Sequence, residues 1–105
     1  MYNKEALQEL KLILQKKYPG GIKKMILFGS RAENREKEYS DHDLLLIINK
    51  PFNSEFEEEV LGITYDIILK YDIMADLKFV FTDDLNSIAG SLPFVRSALE
   101  KGIAI

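Results

Sequence analysis

Leu27-Phe28-Gly29-Ser30-Arg31-Ala32, followed after eight residues by Asp41-His42-Asp43-Leu44-Leu45-Leu46, is the stretch that decides how this chain is read. The apolar run Met25-Ile26-Leu27-Phe28 ends abruptly at Gly29-Ser30, which predicts a buried strand running into a turn. A Gly-Ser pair between a strand and the start of a helix lets backbone N–H groups and a hydroxyl approach a phosphate closely. The helix N-terminus adds partial positive charge there. Asp41 and Asp43 are two apart on the next predicted strand, so both carboxylates share a face. Two such carboxylates repel unless a cation sits between them, and hard oxygen donors suit Mg²⁺, which shares its shell with substrate phosphates. A third acid, Asp76, begins the apolar run Asp76-Leu77-Lys78-Phe79-Val80-Phe81, and a neighbouring strand would place it beside the other two. A phosphate cradle beside carboxylates is what metal-assisted phosphoryl or nucleotidyl transfer requires. In a two-metal scheme Asp76 binds only the second metal and orients or deprotonates the attacking hydroxyl.

Working outward, Leu7, Leu10, Leu14 and Tyr18 recur at helical spacing, with Asn3 as N-cap and Pro19-Gly20-Gly21 as the stop. Residues Arg31 to Tyr39 are polar and of alternating charge, a short helix or loop at the surface. Asp43 to Ile48 is apolar on both faces and reads as a central strand. Ser54-x-x-Glu57 is a capping-box pattern opening a helix that carries Phe56, Val60, Ile63 and Ile67 on one stripe. Thr82-Asp83-Asp84 resembles a helix start, and Pro93 to Lys101 a last helix closed by Gly102. Helices alternating with strands predict an α/β (α+β) domain: a small mixed sheet of three or more strands flanked by helices. With no repeat, linker or low-complexity tract, residues 1–105 read as one domain.

Composition narrows the function. The chain has 105 residues, 14 Lys and Arg against 17 Asp and Glu, and a net charge of −3. That balance argues against a nucleic-acid scaffold role, which needs a basic patch. The absence of cysteine excludes a disulfide scaffold, a zinc ribbon and a thiol nucleophile. No apolar run approaches a membrane span and the first residues lack a signal-peptide core, so a cytoplasmic protein without a membrane partner is expected. Plainer readings stand beside the chemical ones. Asp41 and Asp43 alone could be a turn pair, and Asp76 a solvated residue ahead of its strand. Arg31 contacts phosphate or pairs with Glu33 or Glu36, and His42 is an ordinary packed or exposed histidine.

Taken together, Gly29-Ser30-Arg31-Ala32 and Ser40-Asp41-x-Asp43-Leu44 resemble the nucleotidyltransferase superfamily of DNA polymerase beta. They look most like its minimal nucleotidyltransferases, stand-alone domains encoded beside a HEPN-domain partner in toxin–antitoxin pairs. Ala75-Asp76-Leu77, Thr82, Pro93-Phe94-Val95-Arg96 and Glu100-Lys101-Gly102-Ile103 fit the closing strand and helix, so the resemblance covers nearly the whole chain. It implies a polymerase beta-like fold, with Gly29, Ser30 and Arg31 binding the nucleotide. It implies that Asp41, Asp43 and Asp76 are catalytic and hold two Mg²⁺ ions. The implied reaction moves a nucleoside monophosphate, AMP from ATP, to a hydroxyl, here a tyrosine of the HEPN toxin, whose silencing makes the chain an antitoxin. Relatives often carry Arg-Gly soon after this start, whereas this chain reads Glu33-Asn34, which removes a basic group that Arg35 or Lys37 could replace.

Two function classes follow. One is an enzyme that adenylylates a partner. The other is a catalytically weak or inactive binding module that neutralises its partner by complex formation. An antibiotic nucleotidyltransferase needs a further helical domain, for which 105 residues leave no room. A chain this small is expected to draw the rest of its active site from another chain, and a homodimer, a heteromer or both stay open.

Overall fold

The computed structural model describes residues 2–35 and 40–105. Asn3, in an extended conformation, accepts a hydrogen bond from the Ala6 N–H and starts helix α1, Lys4–Lys17. Ala6, Leu7, Leu10 and Leu14 form its buried stripe, and Gly20, with a φ of 71°, lets the chain reverse. Strand β1, Ile22–Phe28, then leads to the turn at Gly29. Strand β2, His42–Ile48, pairs antiparallel to β1, with Leu27 opposite Leu44 and Phe28 opposite Asp43.

Helix α2, Ser54–Tyr71, crosses back over the sheet to strand β3, Ala75–Phe81, which runs parallel to β2. A parallel neighbour requires such a crossover. The expected capping box is not what opens α2. Asn53 is the N-cap, its side chain accepting from the Phe56 N–H, and Ser54 is already helical. Asn and Ser cap about equally well, and the extended residue here is Asn53. Thr82–Asp84, read as a helix start, is a single 3₁₀ turn, and Ile88–Ser91 forms another. Helix α3, Pro93–Lys101, ends at Gly102 as the sequence predicts. A Cβ at Gly102 would lie 2.3 Å from the Ala98 carbonyl oxygen and from Ile26 Cγ2, so only glycine lets the chain turn this tightly against β1.

That turn feeds a short strand the sequence does not announce, β4, Ile103–Ala104, paired antiparallel with β1. Two residues are too few to show a periodic pattern. The sheet is therefore mixed and four-stranded, ordered β3-β2-β1-β4. One face carries Leu44, Leu46 and Ile48 against Leu7 and Leu10 of α1 and Val60 of α2. The other carries Leu45, Ile47 and Val80 against Val95 and Ala98 of α3. Both faces are covered, which is why β2 is apolar without alternation. Among the described residues no helix is long and apolar enough to cross a membrane.

Candidate active site

The end of β1 and the start of β2 meet side by side, because the two strands pair antiparallel with Phe28 opposite Asp43. Gly29 follows with a φ of 76°, in the left-handed region. A Cβ built on Gly29 would sit 2.4 Å from Asp43 Oδ2 and 3.3 Å from its Cγ. Glycine is thus required twice, for the turn and for the approach of the backbone to the carboxylate.

Beyond Gly29 the chain makes one turn rather than the start of a full helix. The Glu33 N–H donates to the Gly29 carbonyl at 3.2 Å and the Arg35 N–H to the Ser30 carbonyl at 2.8 Å. Asn34, with a φ of 55°, closes it in the left-handed conformation, as a C-terminal residue does when a helical turn ends. Asparagine is among the few residues that tolerate this position. Glu33 lies 3.0 Å from Arg35 and 4.0 Å from Lys101, so it draws cations to itself. Glu36 and Lys37, and the Arg31–Tyr39 segment from residue 36 to 39, lie outside the described residues. The Arg31 Nε–H donates to the Ser40 carbonyl at 2.8 Å, which ties the Gly29-Ser30 turn to the residue before Asp41.

Asp43 and Asp76 are register partners on adjacent parallel strands. Asp41 is exposed and precedes β2 instead of lying on it. Asp43 is half-buried, and burial, followed by the Asp76 and Asp41 charges, pushes its carboxyl above the usual carboxylate range. Lys78 acts against them. It stands two residues after Asp76, on the same face of β3, with its Nζ 3.5 Å from Asp76 Oδ2. Oxygen donors that repel one another suit a hard divalent cation. Among the described residues, however, no three acidic or histidine side chains are gathered as a formed metal site, and Asp76 is engaged by Lys78.

His42 sits between the two acids in sequence and on the other face of β2. It is 2% exposed. Its Nδ1–H donates to the Met74 carbonyl at 2.9 Å, and its Nε2 accepts the Asn3 N–H at 3.2 Å. Burial lowers its pKa, so the ring is held neutral. The ring therefore clamps the start of α1 to the β2–β3 edge. A cavity of about 410 Å³ lined by Tyr18, Ile48, Lys50, Phe52 and Phe56 lies at the opposite end of the sheet and includes none of the candidate residues. The sequence alone assigns Lys78 no role. Its signal was available, a lysine two residues after an acid at the start of a strand, but only the β2–β3 register shows what it faces.

The chain is similar to known proteins along almost its whole length. The model of the nucleotidyltransferase domain family matches residues 7–104. Two proteins of Methanocaldococcus jannaschii are named putative protein adenylyltransferases, MJ0604 and MJ1217. This chain is 32% identical to the first over 97% of its own length and 96% of the relative's. It is 35% identical to the second over 67% of its own length and 76% of the relative's. Among solved structures, two mutants of the toxin–antitoxin MntA-HpeT share the fold, with TM-scores of 0.64 and 0.62 and sequence identities of 14% and 17%. These likenesses cover 98% and 100% of this chain and 72% of the matched chains. On those matches the chain belongs to the nucleotidyltransferase domain family and is a transferase of the nucleotidyl type.

Proposed function

We propose that residues 1–105 work as one minimal domain that transfers AMP from ATP to a hydroxyl of a partner protein, a tyrosine of a HEPN-type toxin, and so silences it in the cytoplasm. The observation that carries this reading is the contact of Gly29 with the Asp43 carboxylate, with Asp76 in register beside it. A backbone turn beside two carboxylates suits a phosphate and a cation meeting at one point, which supports the reading. The names of the M. jannaschii relatives support adenylyl transfer to protein, and the toxin–antitoxin neighbours support a toxin as acceptor.

In this reading the N–H groups and hydroxyl of the Gly29-Ser30 turn receive the nucleotide phosphates. Arg31 has a double task, bracing the turn through Ser40 and lending positive charge to the phosphates. Asp41, Asp43 and Asp76 would hold Mg²⁺, which supplies charge neutralisation for the triphosphate and lowers the pKa of a bound hydroxyl. The acceptor oxygen forms a bond to the α-phosphorus as the bond to the bridging oxygen breaks, and pyrophosphate leaves. Asp76, exposed at the sheet edge, orients the acceptor and takes its proton. Exposure of Asp41 and Asp76 suits a large acceptor brought by another chain.

The purified chain, mixed with labelled ATP, Mg²⁺ and the protein encoded beside it, should label that neighbour on tyrosine. Absence of label under conditions where the two bind would overturn the transfer reading. A second reading, an antitoxin that acts by binding with little or no catalysis, is favoured by two observations. Glu33, an acid in the turn after Gly29-Ser30, draws Arg35 and Lys101 to itself, and Asp76 is paired with Lys78. Under it, Asp41→Ala with Asp43→Ala still protects cells from the toxin. Loss of protection by a double mutant that still binds removes that reading.

A further inference from the structure

Lys78 has no place in the transfer chemistry described above, yet its ammonium already stands beside Asp76. β2 and β3 run parallel in register, so Asp43 faces Asp76 and Leu45 faces Lys78. Residues alternate along a strand, so Asp76 and Lys78 share the face that also carries Asp43. Nζ of Lys78 is 3.5 Å from Asp76 Oδ2. β3 is an edge strand, and both side chains are about half-exposed, at 45% and 50%. The pair therefore opens at little cost, since exposed ion pairs of this kind are weak. Among the described residues no three acids are gathered as a metal site. Within that arrangement the Asp76 carboxylate is turned to an ammonium.

We propose that Lys78 is the resident counter-ion of the third carboxylate and competes with a divalent cation for Asp76. Its role is to position Asp76, with no contact to the reacting atoms. In the cation-free protein it neutralises Asp76 and partly offsets the charge around Asp43. A cation reaching Asp76 displaces the ammonium, which swings into solvent on its flexible stem. The competition lowers the affinity of Asp76 for a cation by the modest worth of the exposed pair. The inference rests on the nucleotidyl-transfer reading for the identity of the competing ion.

The test is Mn²⁺ affinity of the full chain without nucleotide, followed by electron paramagnetic resonance. The proteins are wild type, Lys78→Met, Lys78→Arg, Asp76→Asn and Asp76→Asn with Lys78→Met. Lys78→Met keeps the stem and removes the charge, and should tighten Mn²⁺ by about two- to fivefold, the worth of an exposed pair. Lys78→Arg should restore wild-type affinity. In the Asp76→Asn background the gain from Lys78→Met should shrink, because competition at Asp76 is gone. An equal gain with and without Asp76 would mean that Lys78 acts only through its general field, and overturns the inference. So does unchanged or weakened affinity in Lys78→Met. AMP transfer by a Lys78→Met protein of unchanged Mn²⁺ affinity overturns the inference alone. No Mn²⁺ binding by any of the five proteins overturns the inference and the metal-dependent reading together. Circular dichroism of each variant checks the fold, and Lys78→Gln replaces Lys78→Met if that variant does not fold.

Discussion

Gly29 and Asp43 are fourteen residues apart in sequence, yet a single methyl carbon on Gly29 would lie 2.4 Å from Asp43 Oδ2. The contact arises because β1 and β2 are antiparallel with Phe28 opposite Asp43, so the residue after β1 falls beside the carboxylate. Everything proposed about phosphate and cation meeting at one point depends on that adjacency.

Replacing Gly29 by alanine tests it. Alanine is strained at a φ of 76° and its Cβ must displace the Asp43 carboxylate. The variant should lose about 1–3 kcal/mol of stability in denaturant unfolding, from the left-handed backbone and the clash combined. Its AMP transfer should fall more than its stability explains at temperatures where it is folded.

Asp43→Asn should move stability and activity in opposite directions. The carboxylate is half-buried and faces Asp41 and Asp76, which raise its pKa along with burial. A neutral amide of the same shape removes that repulsion, and because solvent screens the partly exposed group a gain of no more than about 1 kcal/mol is expected at neutral pH. Activity should drop at least about a hundredfold, the equivalent of losing several kcal/mol of charge stabilisation. Thermal unfolding and labelled-AMP transfer measure the two.

Asn34 ends the turn after Ser30 in the left-handed conformation. At a φ of 55°, Asn34→Gly should be neutral or slightly stabilising. Asn34→Val should cost about 1–2 kcal/mol, because a β-branched side chain crowds the left-handed backbone. Comparable melting temperatures for the two variants would contradict the turn described above.

His42 sets a pH dependence. Its folded-state pKa lies below the ordinary value because burial penalises the charged ring. Below about pH 6.5 the unfolded chain takes up a proton that the native state resists, so stability falls as pH drops through that value. Asp43 works the other way, since a raised carboxylate pKa favours the native state as it protonates at lower pH. His42→Gln should therefore flatten the decline in melting temperature between pH 7.5 and about pH 5.5. An unchanged slope would show that the ring is not the titrating group.

The strands and long helices were legible because their apolar spacing is strong, and the last helix because Pro93 and Gly102 mark both ends. The α2 cap lies one residue before the Ser54 that the pattern predicts, since Asn53 and Ser54 are equally good caps and only the backbone decides. β4 was missed because its two residues are held by pairing with Leu27 and Ile26, a long-range contact that no local pattern records. In the candidate site, the Gly29-Ser30 turn and the Asp41-x-Asp43 pair were readable from spacing. Asp76 was nominated by its place at the start of a strand, and the register shows it opposite Asp43. Asp41 lies just before β2, because sequence places strand ends only to within a residue or two. Lys78 and the His42 clamp needed the fold, since each acts on residues brought close by strand pairing or by α1.

The most direct test of the central claim is the intact mass of the neighbouring protein after incubation with this chain, ATP and Mg²⁺. The account predicts a gain of one or more AMP units on tyrosine with wild type and none with Asp43→Asn, although both bind the neighbour. An unmodified neighbour in a stable complex with the wild-type chain, or equal modification by Asp43→Asn, would contradict it.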